Sequence, residues 1–248
     1  MKSTLIFCFI TCHSFSFAQD KNAFYALDKN MNQTVLDSSK YILWVHEKED
    51  SNWQWDYYYT WGNLIKSNSY FDHDGTIPNG RFCIYNTNGN LDSTGIFDRG
   101  KKNGTFYKYR SYTKDSIRAI HLYDYKEDSL VKSIAITENK EKIKDTANEK
   151  ESEYPGGIAA WYGYLAKNLV YPDRAISKEV QGQVQVDFII DTNGVVKDLF
   201  IQKSVEYSID QASLELIKKS GEWTPATEKG LPVKSYKMQP INFKLVSQ

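Results

Sequence analysis

The sequence predicts two differently built regions, an α+β region in its last hundred or so residues and an all-β meander of repeated hairpins before it. Three observations carry this. Val184, Val186, Phe188 and Ile190 alternate with Gln183, Gln185 and Asp187, as in a strand with one apolar face. Ile158, Trp161, Leu165 and Leu169 recur at three- and four-residue intervals, as on one face of a helix. Upstream, Trp55-x-x-Tyr58 followed by Gly62, Asn63 and Leu64 recurs as Phe82-x-x-Tyr85 followed by Gly89, Asn90 and Leu91, an offset of 27 residues.

From the start of the chain, Met1 and Lys2 precede an apolar run from Leu5 to Phe17, and Ser16 and Ala18 put small residues where a signal peptidase reads. That run of thirteen residues, interrupted by Thr11 and His13, is short of the roughly 20 needed to span a bilayer. A cleaved secretory signal peptide over residues 1–18, and a periplasmic protein, are expected. Cleavage removes Cys8 and Cys12 and leaves Cys83 alone, so the exported chain rests on its core and not on disulfides. The 31 basic and 31 acidic residues cancel, which leaves no footprint for nucleic acid. Residues 19–45 are expected to cap the repeated hairpins, with a helical turn at Phe24 to Leu27 and a strand at Tyr41 to Val45.

Over residues 46–135 the repeated units continue alike. Asp74-Gly75 is answered by Arg99-Gly100 and Asn79-Gly80 by Asn103-Gly104, while a third copy opens at Phe106-x-x-Tyr109 and fades through His121 to Asp124. Two short strands per unit, joined at Asn-Gly or Asp-Gly turns, predict a meandering sheet whose units need neighbours to bury their aromatic face. The pattern resembles the bacterial variant of the MORN repeat. Trp53, Trp55, Tyr57, Tyr58, Tyr59 and Trp61 crowd one strand and cannot all point inward. The preferred reading makes these aromatics the core and rim of a thin sheet; a binding surface is the competing one. Cys83 lies within a strand and reads as buried filler.

Residues 136–152 are expected to be a charged linker. From Thr137 to Glu153 ten of seventeen residues are charged and none is Gly or Pro, which suits a loose helix or a disordered tether. In the last region, 153–248, a helix from Gly157 to Leu169 is stopped by Tyr171 and Pro172. The strand from Gly182 turns at Asp191 to Gly194 into a second arm with Val196, Leu199 and Ile201, an antiparallel hairpin. Ser208 and Gln211 have the form of a capping box opening a second helix from Ile209 to Lys219. The alternating strand Ser235 to Leu245 closes the chain, and Pro240 bars it from a central place in a sheet.

Tyr154 to Gly157 before the helix, Leu165 to Leu169 with Tyr171-Pro172, Val180 to Gly182, Asp191-x-x-Gly194, Ser204-Val205, Trp223-x-Pro225 and Ile241-x-Phe243-x-Leu245 resemble the C-terminal domain of TonB energy transducers, over 95 of 248 residues. The resemblance implies a small α+β domain, with an antiparallel sheet of about three strands, two helices packed on it and an exposed edge. In that family the edge accepts an extended peptide, the TonB box, from the plug of an outer-membrane receptor, and inner-membrane proteins supply the energy. Carried over by position, the partner-binding residues are Lys167, Asn168, Leu169 and Val170, together with Tyr236, Lys237, Met238, Gln239, Ile241, Asn242, Phe243 and Lys244. Strand addition suits such an edge, because unpaired backbone groups give affinity and alternate side chains give specificity. Lys234, Lys237, Lys244 and Pro240 also have the composition of guards against aggregation.

The chain departs from the family in its expected lack of a membrane anchor and proline-rich spacer, its six prolines being mostly in the last region. No enzyme is expected. His46, His73 and His121 are scattered without partners at metal-ligand spacing, Asp72-His73-Asp74 occupies a repeat turn, and Gly156-Gly157 lacks the Lys-Ser/Thr of a phosphate loop. No cofactor, metal or small-molecule substrate is expected. The function expected is therefore exported peptide recognition in TonB-dependent transport, with a periplasmic or surface adaptor or immunity-type protein, working through the repeats, as the alternative.

Overall fold

The computed structural model describes residues 22–48, 51–113, 116–136 and 149–245. The expected signal peptide and most of the expected linker lie outside the described residues.

The first part is one antiparallel sheet. Its strands are β1 (Asn22–Leu27), β2 (Tyr41–Glu47), β3 (Trp53–Tyr59), β4 (Leu64–Tyr70), β5 (Pro78–Tyr85), β6 (Leu91–Asp98), β7 (Lys101–Lys102), β8 (Gly104–Thr113), β9 (Ser116–Lys126) and β10 (Ser129–Ala135). They lie side by side in chain order, with β7 a short flank on β6. The repeat is written into the register: Trp55 opposes Asn68 and, 27 residues on, Phe82 opposes Gly95. A register shift falls between Tyr57 and Tyr58, again between Ile84 and Tyr85, and a third time between Lys108 and Tyr109. Such a shift re-aims the side chain beyond it. Accordingly Tyr58 and Tyr85 are buried, as are Leu64 and Leu91.

The helical turn expected at Phe24 to Leu27 is instead strand β1. Its ladder with β2 runs from Asn22 opposite His46 to Leu27 opposite Tyr41, and the rings of Phe24 and Trp44 stack across it at 5.6 Å. Cross-strand aromatic pairing outweighs whatever local helical preference four residues hold.

The second part begins with β11 (Glu149–Lys150), followed by α1 (Gly157–Asn168), α2 (Asp173–Ser177), β12 (Gly182–Ile190), β13 (Val196–Lys203), α3 (Tyr207–Lys218), β14 (Ala226–Glu228), β15 (Leu231–Val233) and β16 (Ser235–Phe243). A three-stranded antiparallel sheet runs in the order β13-β12-β16, and β11, β14 and β15 form a smaller one. The last residues of the expected linker are thus a strand, Glu149 opposing Glu228 and Lys150 opposing Thr227. The β12–β13 turn is built as its residues dictate. Asp191 Oδ1 accepts from the amides of Asn193 and Val195, and Gly194 sits at φ +84° with Trp223 so near that a Cβ there would meet its carbonyl oxygen at 2.1 Å.

Helices α1 and α3 cover one face of this sheet. Val184, Val186, Phe188, Ile190, Ile241 and Phe243 are buried there with Trp161, Ile209, Ile217 and Trp223. Three expectations are corrected. Ile158 is 65% exposed, and the inward stripe of α1 is Trp161 with Tyr164, Leu165 and the adjoining Leu169. The N-cap of α3 is Glu206, whose side chain accepts from the Ser208 amide; the Ser208–Gln211 capping box is not made, because the helix starts earlier. A further short helix, α2, comes after Pro172, whose fixed φ of −66° enters a helix as readily as it ends one.

The outer face of β12, polar by alternation, is largely covered. Gln185 and Ile189 are 6% and 7% exposed because the ten-stranded sheet covers that side. Tyr58, Leu64, Cys83, Tyr85 and Leu91 belong to the same buried cluster as the C-terminal core. Polar contacts stitch the layers together. Tyr85 donates its hydroxyl to the Ile201 carbonyl at 2.6 Å, the Leu64 amide donates to Ser204 Oγ at 2.7 Å, and the Ser204 amide donates to the Gly89 carbonyl at 2.8 Å. Gly89 has φ +77°, and a Cβ on it would meet the Ser204 carbonyl oxygen at 2.2 Å, so this repeat position admits glycine for two reasons. Arg174 on α2 donates to the buried Glu206 at 2.8 Å and to the Thr60 carbonyl at 3.0 Å, and stacks on the Trp61 ring.

Candidate functional site: the free edge of the C-terminal sheet

Strand β16 pairs with β12 over nine residues, from Gly182 opposite Phe243 to Ile190 opposite Ser235. On its other side no strand pairs with it among the described residues. Its direction can be read from one residue. Pro240 opposes Gln185 in mid-ladder and has no N–H, so its nitrogen side belongs on the open edge. A residue's N–H and C=O point the same way in an antiparallel strand, and neighbours point oppositely. The backbone groups of Tyr236, Met238 and Asn242 therefore face outward with the Pro240 carbonyl, and those of Lys237, Gln239 and Ile241 face β12.

The side chains divide differently. Ile241 and Phe243 are 1% and 3% exposed and belong to the core. Lys237 lies on that same sheet face, 3.6 Å from Glu151, and Gln239 is half-buried beside it. On the opposite face Tyr236 is 79% and Met238 46% exposed, and Asn242 accepts from Gln183 Nε2 at 2.9 Å. Lys244, just past the strand, is exposed.

The second stretch of expected site residues comes to the far end of this strand. Lys167 and Asn168 are exposed on the last turn of α1, where Asn168 Nδ2 donates to the Tyr164 carbonyl at 2.8 Å. Leu169 packs into the core, and Val170 is 71% exposed. Tyr171 then meets the Phe243 ring edge-on at 5.3 Å and donates its hydroxyl to the Val180 carbonyl. Sequence reasoning missed the groups that lie over the outer face. Arg81 donates Nε to Asp198 Oδ1 at 3.0 Å and stacks on Phe200, while Asp187 has one carboxylate oxygen held by Gln202 Nε2 at 3.0 Å and the other buried without a partner. Burial pushes the Asp187 carboxyl up to about 7, against the opposing pull of Arg81 and Gln202. Burial raises the Tyr109 phenol as well, and Asp187 raises it further. Nothing in the alternation of β12 signals a second layer over Asp187.

Residues 167–245 match the family described as Gram-negative bacterial TonB protein C-terminal. The TonB-matching residues thus include the last turn of α1, the three-stranded sheet and the free edge. Two solved structures are similar to the chain. The NMR structure of the Helicobacter pylori TonB C-terminal domain, residues 179–285, is 24% identical over 38% of this chain and 91% of its own, with a TM-score of 0.29. A shorter form of the same domain, residues 194–285, is 24% identical over 36% and 95%, with a TM-score of 0.28. No curated protein matches the chain. The TonB C-terminal family is transport-related and non-enzymatic. Among the described residues no helix is long and apolar enough to cross a membrane, and no three His, Cys, Asp or Glu side chains come together as metal ligands.

Proposed function

We propose that this is an exported periplasmic protein whose TonB-like C-terminal region binds an extended segment of an outer-membrane receptor by strand addition along β16, in TonB-dependent transport. The observation that carries the reading is the nine-residue strand paired on one side only among the described residues, with outward backbone groups at Tyr236, Met238 and Asn242. An incoming strand satisfies those groups, and an open edge of this length otherwise invites unwanted pairing. The family match over 167–245 supports it. In this reading residues 1–18 are a cleaved signal peptide, 46–135 are repeats of the MORN variant extended by the segment 19–45, and 153–248 are the recognition region. Lys167 to Val170 flank the end of the bound strand.

The test is an NMR titration of the mature chain with synthetic peptides from the plug N-termini of the same organism's outer-membrane receptors. Saturable amide shifts along Tyr236 to Lys244 are expected. Shifts confined to the repeats, or none with any peptide, would overturn the proposal.

A further inference from the structure

The large sheet packs on the outer face of the three-stranded one. Moving across the large sheet, β5 lies over β13, through Arg81 on Asp198 and Phe200 and through the Tyr85 hydroxyl on Ile201. Two strands further, β8 carries Tyr107 on the same face, in register with Thr94 and, through it, Cys83. Besides its own burial, the neighbouring Tyr236 hydroxyl of β16 raises the Tyr107 phenol, while Tyr109 stands beside Asp187 of β12. Strands β5 and β6 thus lie against β13, and β8 crosses from Asp187 of β12, at Tyr109, to Tyr236 of β16, at Tyr107. Strands β9 and β10 come next at about 4.8 Å each. The direction from β5 to β8 carries them past β16, toward the space an added strand would fill.

On that face an apolar row crosses the strands, beside the charged Asp124 and Lys132 that share it. Leu122 on β9 opposes Tyr107, and Ile134 on β10 opposes Leu122, so all three share one side. Ile134 is 37% exposed, and every residue of β10 is exposed. Below them Tyr236 and Met238 stand open on the upper face of β16. We propose that the notch between the free edge of β16 and the overhanging face of β8, β9 and β10 is the peptide groove, selecting an extended segment with apolar side chains at alternate positions. This rests on the strand-addition reading and adds that the repeat sheet, outside the region matching TonB, reads half of the peptide's side chains. The edge supplies the backbone pairing that calls for an extended occupant, and the pleat sends every second side chain of that occupant up against Tyr107, Leu122 and Ile134.

The experiment uses the full mature chain and a receptor-plug peptide that shifts the β16 amides, with Kd read by calorimetry. Ile134→Asp and Tyr107→Ala should each raise Kd about tenfold, a loss of about 1.4 kcal/mol. Ser133→Asp, on the opposite face of β10, should leave it unchanged, and replacing the peptide's alternate apolar residues with serine should erase the difference between Ile134→Asp and wild type. Ile134 is exposed, so its variant folds even if Tyr107→Ala does not. Unchanged Kd in Ile134→Asp, with the β16 shifts intact, would overturn the roofed groove and leave strand addition standing. If no peptide shifts β16 in the wild type, strand addition itself fails and the groove falls with it.

Discussion

Asp187 carries the clearest residue-level consequence of the layering. Its strand alternates apolar and polar side chains, and alternation distinguishes two faces without saying whether the polar one meets water or a second sheet. Here it meets Arg81 and Tyr109, with one oxygen unpartnered. The folded carboxyl titrates at about 7, above its ordinary 3.8, so the folded state holds the proton more tightly than the unfolded one. Stability is then greatest at low pH and falls as pH rises from about 4 to about 7. Asp210, buried and also raised to about 7, adds a slope of the same sign. Denaturant unfolding should therefore show the wild type losing stability between pH 5 and 7, and Asp187→Asn losing less, by on the order of 2 kcal/mol. Equal slopes would mean that Asp187 is hydrated. Neither the burial of Asp187 nor the ion pair of Arg174 with Glu206 was legible in the sequence, since each depends on groups more than 30 residues away.

At the scale of elements the sequence was more informative. The hairpin β12–β13, the helices α1 and α3, the edge strand β16 and the 27-residue repeat all arise from local periodicity and turn chemistry. Strand β1 and the stub β11 were not legible because what fixes them is a partner elsewhere, β2 and β14. Helix α2 was hidden because five residues are too few for a period to emerge. Of the candidate site residues, position along the edge could be read in advance; which side chains stay free could not, and Ile241 and Phe243 are core. The parity set by Pro240 yields a paired prediction. Asn242→Pro removes an outward donor and should weaken peptide binding several-fold with little change in melting temperature, whereas Gln239→Pro removes a donor facing β12 and should destabilise the fold by about 3 kcal/mol or more. Thermal melts and peptide titration of both variants decide it, and the opposite assignment of effects would reverse the strand's orientation.

For the molecule as a whole, the two expected regions are two layers with a common core. The chain's length and composition hold no sign of this, because an aromatic such as Tyr85 or Tyr58 fits equally well in a sheet packed on itself. Its lone cysteine among the described residues turns that seam into a chronometer. Cys83 is 1% exposed, its thiol pushed up by burial, and it lies where the layers meet. In a chain lacking residues 1–18 it is the sole thiol, so modification by an aromatic disulfide reagent proceeds only as fast as the layers part. Arg81→Ala, which removes one of the ties between β5 and β13, should speed that reaction markedly while leaving far-ultraviolet dichroism unchanged. A rate indifferent to Arg81 would place the opening inside the large sheet. In an oxidising compartment the same enclosure would keep the thiol from forming mixed disulfides, so chemical integrity of the chain there would depend on how seldom its two sheets separate.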